Sequence, residues 1–206
     1  MLIYNFKEIL EQIKIKGIIH IGANECEESN FYNLLGINNV IWIDANPNCN
    51  QKCNNVCNYL LWNKDNIDFI FNVSNNSESS SIYSFKDHLI YYPDVYYNKK
   101  IKIKSHTLDT IYKLENINET KYNMWNICTQ GSEDKVLLGA ISNIKNIDVI
   151  FIKIYTKKIY ENNPTLYDID NIILPHNFKR IVTENTNFGW GFSLYVKKNI
   201  VFKYKK

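Results

Sequence analysis

Arginine is almost missing from this sequence: its 24 basic residues include only Arg180. The bidentate grip on phosphate and guanine that a guanidinium provides is therefore nearly lost, and with a formal charge of only +3 the chain is not expected to bind nucleic acid. The lysines have a plainer origin. Lys, Asn, Ile and Tyr all have A/T-rich codons, so their abundance points to an A/T-rich genome rather than to a basic surface. Long apolar runs are missing too. The stretches near 17–21, 40–43 and 148–154 are strand-sized, below the roughly 18 residues of a spanning helix, so no membrane span is expected. The opening segment MLIYNFKEILEQIKIKG mixes acids among its apolar residues and lacks the basic flank, apolar block and cleavage site of a secretory signal.

An even cysteine count is absent as well. Five cysteines without a signal fit a reducing, cytoplasmic compartment better than a disulfide framework. Cys49, Cys53 and Cys57 recur every four residues and would share one face if that segment were helical. Zinc takes four ligands, and His20, His88, His106 and His176 offer no pairing to complete such a set. A partly buried helix face is the expectation, and no metal site.

What the chain does have is apolar material: 45% of its residues are hydrophobic and 14% aromatic, enough to bury a sizeable core in one domain spanning 1–206. Phe6, Ile9, Leu10 and Ile13 recur with a helical period across 5–16, which predicts an amphipathic helix ending at Gly17. A β-α-β unit follows. Its strands are Ile18 to Ile21 and Val40 to Ile43, joined by a turn at Gly22 and a helix through about Leu35 that stops at Gly36. Both strands are continuous apolar runs, which suits the interior of a parallel sheet covered on two faces. The middle third is less regular, with strand-like NYLLW and IDFIFNV, a loop from Ser74 to Ser81, a strand around Ile101 and Ile103, and a helix capped by Thr107. From Tyr122 the alternation resumes: a strand, the turn CTQG, a helix from about Ser132 to Ile144, the strand DVIFIKI, a helix ended by Pro175, and two strands closing as a hairpin. The fold class is α/β, doubly wound and Rossmann-like, with about seven strands.

In such sheets ligands bind beyond the carboxyl ends of the strands, so the residues just after each strand are the informative ones. Gly22 and Ala23 let a cofactor approach the backbone, and Asp44 closes the second strand about 22 residues later, where it can hold two ribose hydroxyls. The unit suits a dinucleotide or S-adenosylmethionine. Glu25, Glu27 and Glu28 would repel a diphosphate, whereas carboxylates tolerate a sulfonium, so S-adenosylmethionine is the expected cofactor. Asn24 and Gln130 add uncharged donors and acceptors for a polar ligand.

The chain resembles the FkbM-type methyltransferases over nearly its whole length. The likeness rests on IIHIGANECEESNFY with NVIWIDANP, on SSSIYSF, TLDTI and WNICTQGSEDKVLLGA, and on FKRIVTENTNFGWGFSLYVKK. It implies an S-adenosylmethionine-dependent fold generally associated with O-methylation. Gly22, Ala23 and Asn24 would flank the methionine end of the cofactor, Asp44, Ala45 and Asn46 its ribose, and the loop holding Ser80 and Ser81 would lie near the site. There are departures. Where the family commonly has an Asp, a Glu and another Asp, this chain has Cys128, Lys153 and Phe192. A hydroxyl acceptor usually needs a base, and the candidate catalytic group is Cys128, Gln130, Glu133 and Lys153. Cys128 would serve only if Lys153 lowered its pKa; Glu133 reads equally as a replacement base or as a first-turn carboxylate. His20 reads as a satisfied interior histidine.

The expected activity is therefore methyl transfer to a hydroxyl of a sugar, glycan or small molecule. The competing expectation is a scaffold or binding protein that keeps the fold and has lost its acidic apparatus; a nicotinamide-dependent oxidoreductase ranks below both. Tyr91, Tyr92, Tyr96 and Tyr97 read either as sugar-stacking rings or as a packed lid. The acceptor's identity and the oligomeric state are not encoded in any motif.

Overall fold

The computed structural model describes residues 2–51 and 56–202. A 3-10 turn at Leu2–Phe6 runs into α1 (Lys7–Leu10), and Phe6, Leu10 and Ile13 are buried as their spacing predicts. The helix is shorter than the 5–16 expected. Beyond Leu10 the bonds shift to Gln12 N to Ile9 O and Ile13 N to Leu10 O, the tighter three-residue pattern, before the chain extends into the first strand.

The main elements follow in order: β1 (Ile18–Ile21), α2 (Ser29–Leu34), β2 (Val40–Asp44), β3 (Val56–Asn58), β4 (Leu60–Leu61), β5 (Asp68–Ser74), α3 (His88–Tyr91), β6 (Tyr97–His106) and α4 (Leu108–Leu114). Then come β7 (Met124–Ile127), α5 (Glu133–Leu138), β8 (Val149–Tyr155), α6 (Leu166–Ile173), β9 (Phe178–Asn185) and β10 (Trp190–Lys197). Seven strands form one sheet in the order β3-β2-β1-β7-β8-β10-β9. The first five are parallel, and β10 runs antiparallel to both its neighbours. This is the α/β doubly wound arrangement with a closing hairpin. Every residue of β1, β7 and β8 is buried, as continuous apolar strands in a sheet covered on both faces must be.

The middle third departs from expectation. Besides the main sheet, β4, β6 and β5 make a second sheet of three strands, in that order. β6 alternates: Ile101 and Ile103 pack beside Leu60 and Phe71, while Lys100, Lys102 and Lys104 face solvent. The tract at 74–81 is a tight return and not an open loop. Ser81 bridges back to Asn72, and the Ser80 hydroxyl accepts from Ser74 N and donates to Ser77 O. The Thr107 cap forms as expected, its side chain accepting from Thr110 N.

The cysteine helix face does not form. Cys49 lies in the 3-10 turn Pro47–Gln51, Cys57 lies in β3, and Cys53 lies outside the described residues. Among the described residues no group of His, Cys, Asp or Glu is arranged to hold a metal. Cys49, Cys57 and Cys128 are free thiols, but Cys26 is disulfide-bonded, which the odd count did not anticipate. No described helix is long and apolar enough to cross a membrane.

The sheet order reverses at β1, whose neighbours are β2 on one side and β7 on the other. Gly22, just past β1, has φ +86°, and a Cβ there would meet the Cys128 carbonyl oxygen at 2.0 Å. Close packing of β1 against the end of β7 thus requires this glycine, independently of any ligand. Gly22→Ala should lower the unfolding free energy by about 2 kcal/mol or more, because backbone strain adds to a clash with backbone. Gly36→Ala, at φ +73° with nothing within 4 Å, should cost only about 1 kcal/mol. Urea denaturation of the two variants checks this; equal losses would contradict it.

Candidate functional site

At the carboxyl edge of the main sheet, where the order reverses, lies a cavity of about 470 Å³. That is the size of a small-molecule site, about 300–1,000 Å³. Its floor comes from the loops after β1, β2 and β7. Leu60, Leu61 and Phe71 of the small sheet wall one end, and Phe151, Lys153, Trp190 and Phe192 of β8 and β10 wall the other.

Asp44, the last residue of β2, ties two of these loops together. Its Oδ2 accepts from Asn24 N at 2.9 Å and its Oδ1 from Asn46 N at 2.7 Å. Burial raises its carboxyl above the ordinary aspartate range, and the two N–H bonds oppose that. The Cys49 thiol also hydrogen-bonds this carboxylate. Asn24 is left-handed at φ +44°, and its side-chain amide donates to Glu27. The loop continues through a left-handed Cys26, so α2 starts only at Ser29. The helix expected directly after the glycine turn is displaced to Ser29, and its N-cap residue, Glu28, lines the cavity.

The turn after β7 is braced from several directions. Gln130 (φ +56°) and Gly131 (φ +110°) are both left-handed. Glu133, fully buried at the start of α5, accepts from Thr129 N at 2.9 Å and Gly131 N at 3.0 Å. The Ser81 hydroxyl donates to the Gln130 carbonyl at 2.7 Å. Lys153 Nζ and Tyr160 Oη both donate to Gln130 Oε1, while Gln130 Nε2 donates to Cys128 Sγ at 3.5 Å. This amide has no freedom left to rotate.

Adjacency of Cys128 and Lys153 across β7 and β8 is realised, but its expected consequence is not. Burial pushes the Cys128 thiol up to about 12, against the downward pull of Lys153, with Glu133, Glu28 and Glu27 adding to the rise. The thiol stays protonated at neutral pH and cannot act as a base. Glu133 is likewise pushed up to about 7 by burial, with Lys153 and the turn's N–H groups opposing.

Of the residues singled out from the sequence, Gly22, Asn24, Asp44, Ala45, Asn46, Ser80, Cys128, Gln130 and Lys153 line the cavity. Ala23, Ser81 and Glu133 sit behind the wall. Ala23 is buried with its N–H on Ile43 O, and Ser81 and Glu133 hold the β7 turn. His20 is an interior histidine as expected, yet its ring reaches the cavity; burial lowers it to about 3. Asn126 Nδ2 donates to Tyr32 Oη, which in turn lies 3.1 Å from His20 Nδ1. Tyr97 stacks on Phe85, and Tyr92 accepts from Trp190 Nε1, so these rings pack as a lid.

The sequence assigned no role to Thr129, Glu78 or Trp190. Thr129 lines the cavity, and its buried Oγ1 has no hydrogen-bond partner. Glu27, Glu28, Asp44 and Glu78 line the cavity against the one lysine. Such a wall suits a cation and opposes a polyphosphate.

A switch-point cavity with an acid closing β2 defines a ligand-binding, doubly wound α/β protein. The chain belongs to the FkbM methyltransferase family: residues 20–180 match the model of the methyltransferase FkbM domain. A solved structure from Listeria monocytogenes, described as an S-adenosylmethionine dependent methyltransferase, is 8% identical with a TM-score of 0.50, covering 97% of this chain and 100% of its own. Magnesium protoporphyrin IX methyltransferase from Synechocystis PCC 6803, solved with bound S-adenosylmethionine, is 7% identical with a TM-score of 0.42, covering 88% of this chain and 69% of its own. No curated protein sequence matches the chain.

The Glu133 environment sets a pH dependence. Its folded pKa, about 7, lies above the unfolded value of 4.5, so the folded state holds the proton more tightly. Its contribution is present below about pH 4.5 and is lost as pH rises through about 7. The stability of Glu133→Gln relative to the unaltered chain should therefore improve between pH 5 and pH 8. Urea denaturation at both pH values measures it; a difference that does not move with pH would contradict the assignment.

Proposed function

We propose that this protein is an S-adenosylmethionine-dependent methyltransferase acting on a hydroxyl of a sugar, glycan or small molecule. The observation that carries the reading is Asp44. A carboxylate at the end of β2, fixed by two backbone N–H groups and the Cys49 thiol, lines a cavity of fitting size. Its position matches that of an acid holding the paired hydroxyls of a ribose. Ile43, Leu60, Leu61 and Ile82 give an apolar slot for a base.

The bound donor would supply a methyl group already activated on a sulfonium. The chain's task is to align donor and acceptor and to take up a proton. The wall rich in carboxylates favours a positive centre. Cys128, protonated and hydrogen-bonded to Gln130, takes no part in proton transfer. Burial raises both Glu27 and Glu28, which brings these carboxylates closer to the range of a useful base, and both line the cavity.

The alternative, a binding protein without turnover, draws on Cys128 and Lys153 standing where carboxylates would be useful. A cytoplasmic home belongs to the reading through the cysteine count, and the Cys26 disulfide is the observation against it. Calorimetry with S-adenosylhomocysteine tests the cofactor assignment. Asp44→Asn should weaken binding at least tenfold, about 1.4 kcal/mol. Unchanged affinity would overturn the role of Asp44, and absence of binding by the unaltered protein would overturn the cofactor. Binding with no turnover on any hydroxylated acceptor would favour the scaffold.

A further inference from the structure

Lys153 is a buried cation without an anion. The residue is only 9% exposed, and it lines the cavity. Its Nζ donates to the Gln130 amide oxygen at 2.8 Å and lies 4.6 Å from the centroid of the Trp190 ring and 5.9 Å from that of Tyr155. All three partners are neutral. Among the described residues no carboxylate forms an ion pair with it. The carboxyl whose field reaches it is that of Glu133, but those oxygens are taken by the N–H groups of the β7 turn. An ammonium taken from water without a counter-charge is costly, and rings and an amide offset only part of that cost. Two of its three N–H donors remain for another partner.

Position narrows what that partner is. Lys153 follows Ile152, which pairs with Ile127 at the end of β7, and it faces Phe192 on β10. Asp44 ends β2, three strand spacings away across β1 and β7, roughly 14 Å. The acids Glu27, Glu28 and Asp44 come from the β1 and β2 side and repel an anion there. Lys153 attracts one at the opposite end, beyond the ribose position.

We propose that Lys153 is the docking cation for the acceptor, and that the acceptor carries a carboxylate, as an acidic sugar does, close to the hydroxyl that is methylated. This rests on the methyltransferase reading above and adds the acceptor's charge to it. Lys153 is then a specificity-determining residue, and its placement in the Gln130–Trp190 cradle fixes where the acid group lies.

The test uses the full chain saturated with S-adenosylhomocysteine and titrated with glucuronate and with glucose as probes. Glucuronate should bind at least tenfold more tightly than glucose. Lys153→Met should abolish that preference and Lys153→Arg should restore part of it, with urea denaturation showing that both variants are folded. Equal binding of the two sugars, no binding of glucuronate, or a preference that survives in Lys153→Met would overturn the proposal. So would weaker S-adenosylhomocysteine binding by Lys153→Met alone, since the anion would then be the donor's own carboxylate. Failure of the unaltered protein to bind S-adenosylhomocysteine is a different result: it removes the methyltransferase reading and this inference together.

Discussion

The contact between Gly22 and the Cys128 carbonyl is the constraint on which the rest of the site depends. It lets the ends of β1 and β7 approach to backbone distance at the place where the sheet order reverses. Once these ends are joined, the loops after them must leave in different directions, and the cavity is the space between them. Asp44 then fixes the β1 and β2 loops to each other, and Glu133 fixes the β7 turn. Two carboxylates with similar bonding thus have different work. One lines the cavity; the other is spent on its own backbone.

Burial dominates the electrostatics here more than any charge pair does. It raises Asp44, Glu27, Glu28, Glu133 and Cys128, and it lowers His20. In each case the neutral form is favoured, as desolvation requires. Lys153 is close enough to oppose the rise of Cys128 without reversing it. Reactivity inferred from the spacing of a thiol and an amine fails for that reason. What Lys153 does provide is a positive centre on the β8 side of the cavity, three strands from Asp44.

Much of the fold was legible because it is carried by local patterns. The apolar runs at Ile18–Ile21, Val40–Asp44 and Val149–Tyr155, with Gly36 and Pro175 as stops, place the core strands. The second sheet was not foreseen, because the two-residue strand Leu60–Leu61 pairs with Ser105 and His106, a contact no local window contains. The late start of α2 was hidden too: Asn24 and Cys26 adopt left-handed backbone that their residue types do not announce as glycine would. In the site, residues directly after strands were readable by position alone. Glu78 and Trp190 were not, since their relevance comes from chain segments distant in sequence.

The central claim is that a nucleoside with a free diol sits against Asp44 in the switch-point cavity. A crystal structure of the protein with S-adenosylhomocysteine tests it most directly. The account predicts both ribose hydroxyls within hydrogen-bond distance of the Asp44 carboxylate and the adenine between Ile43, Leu60 and Ile82. A ligand bound elsewhere, or a ribose that leaves Asp44 untouched, would contradict it.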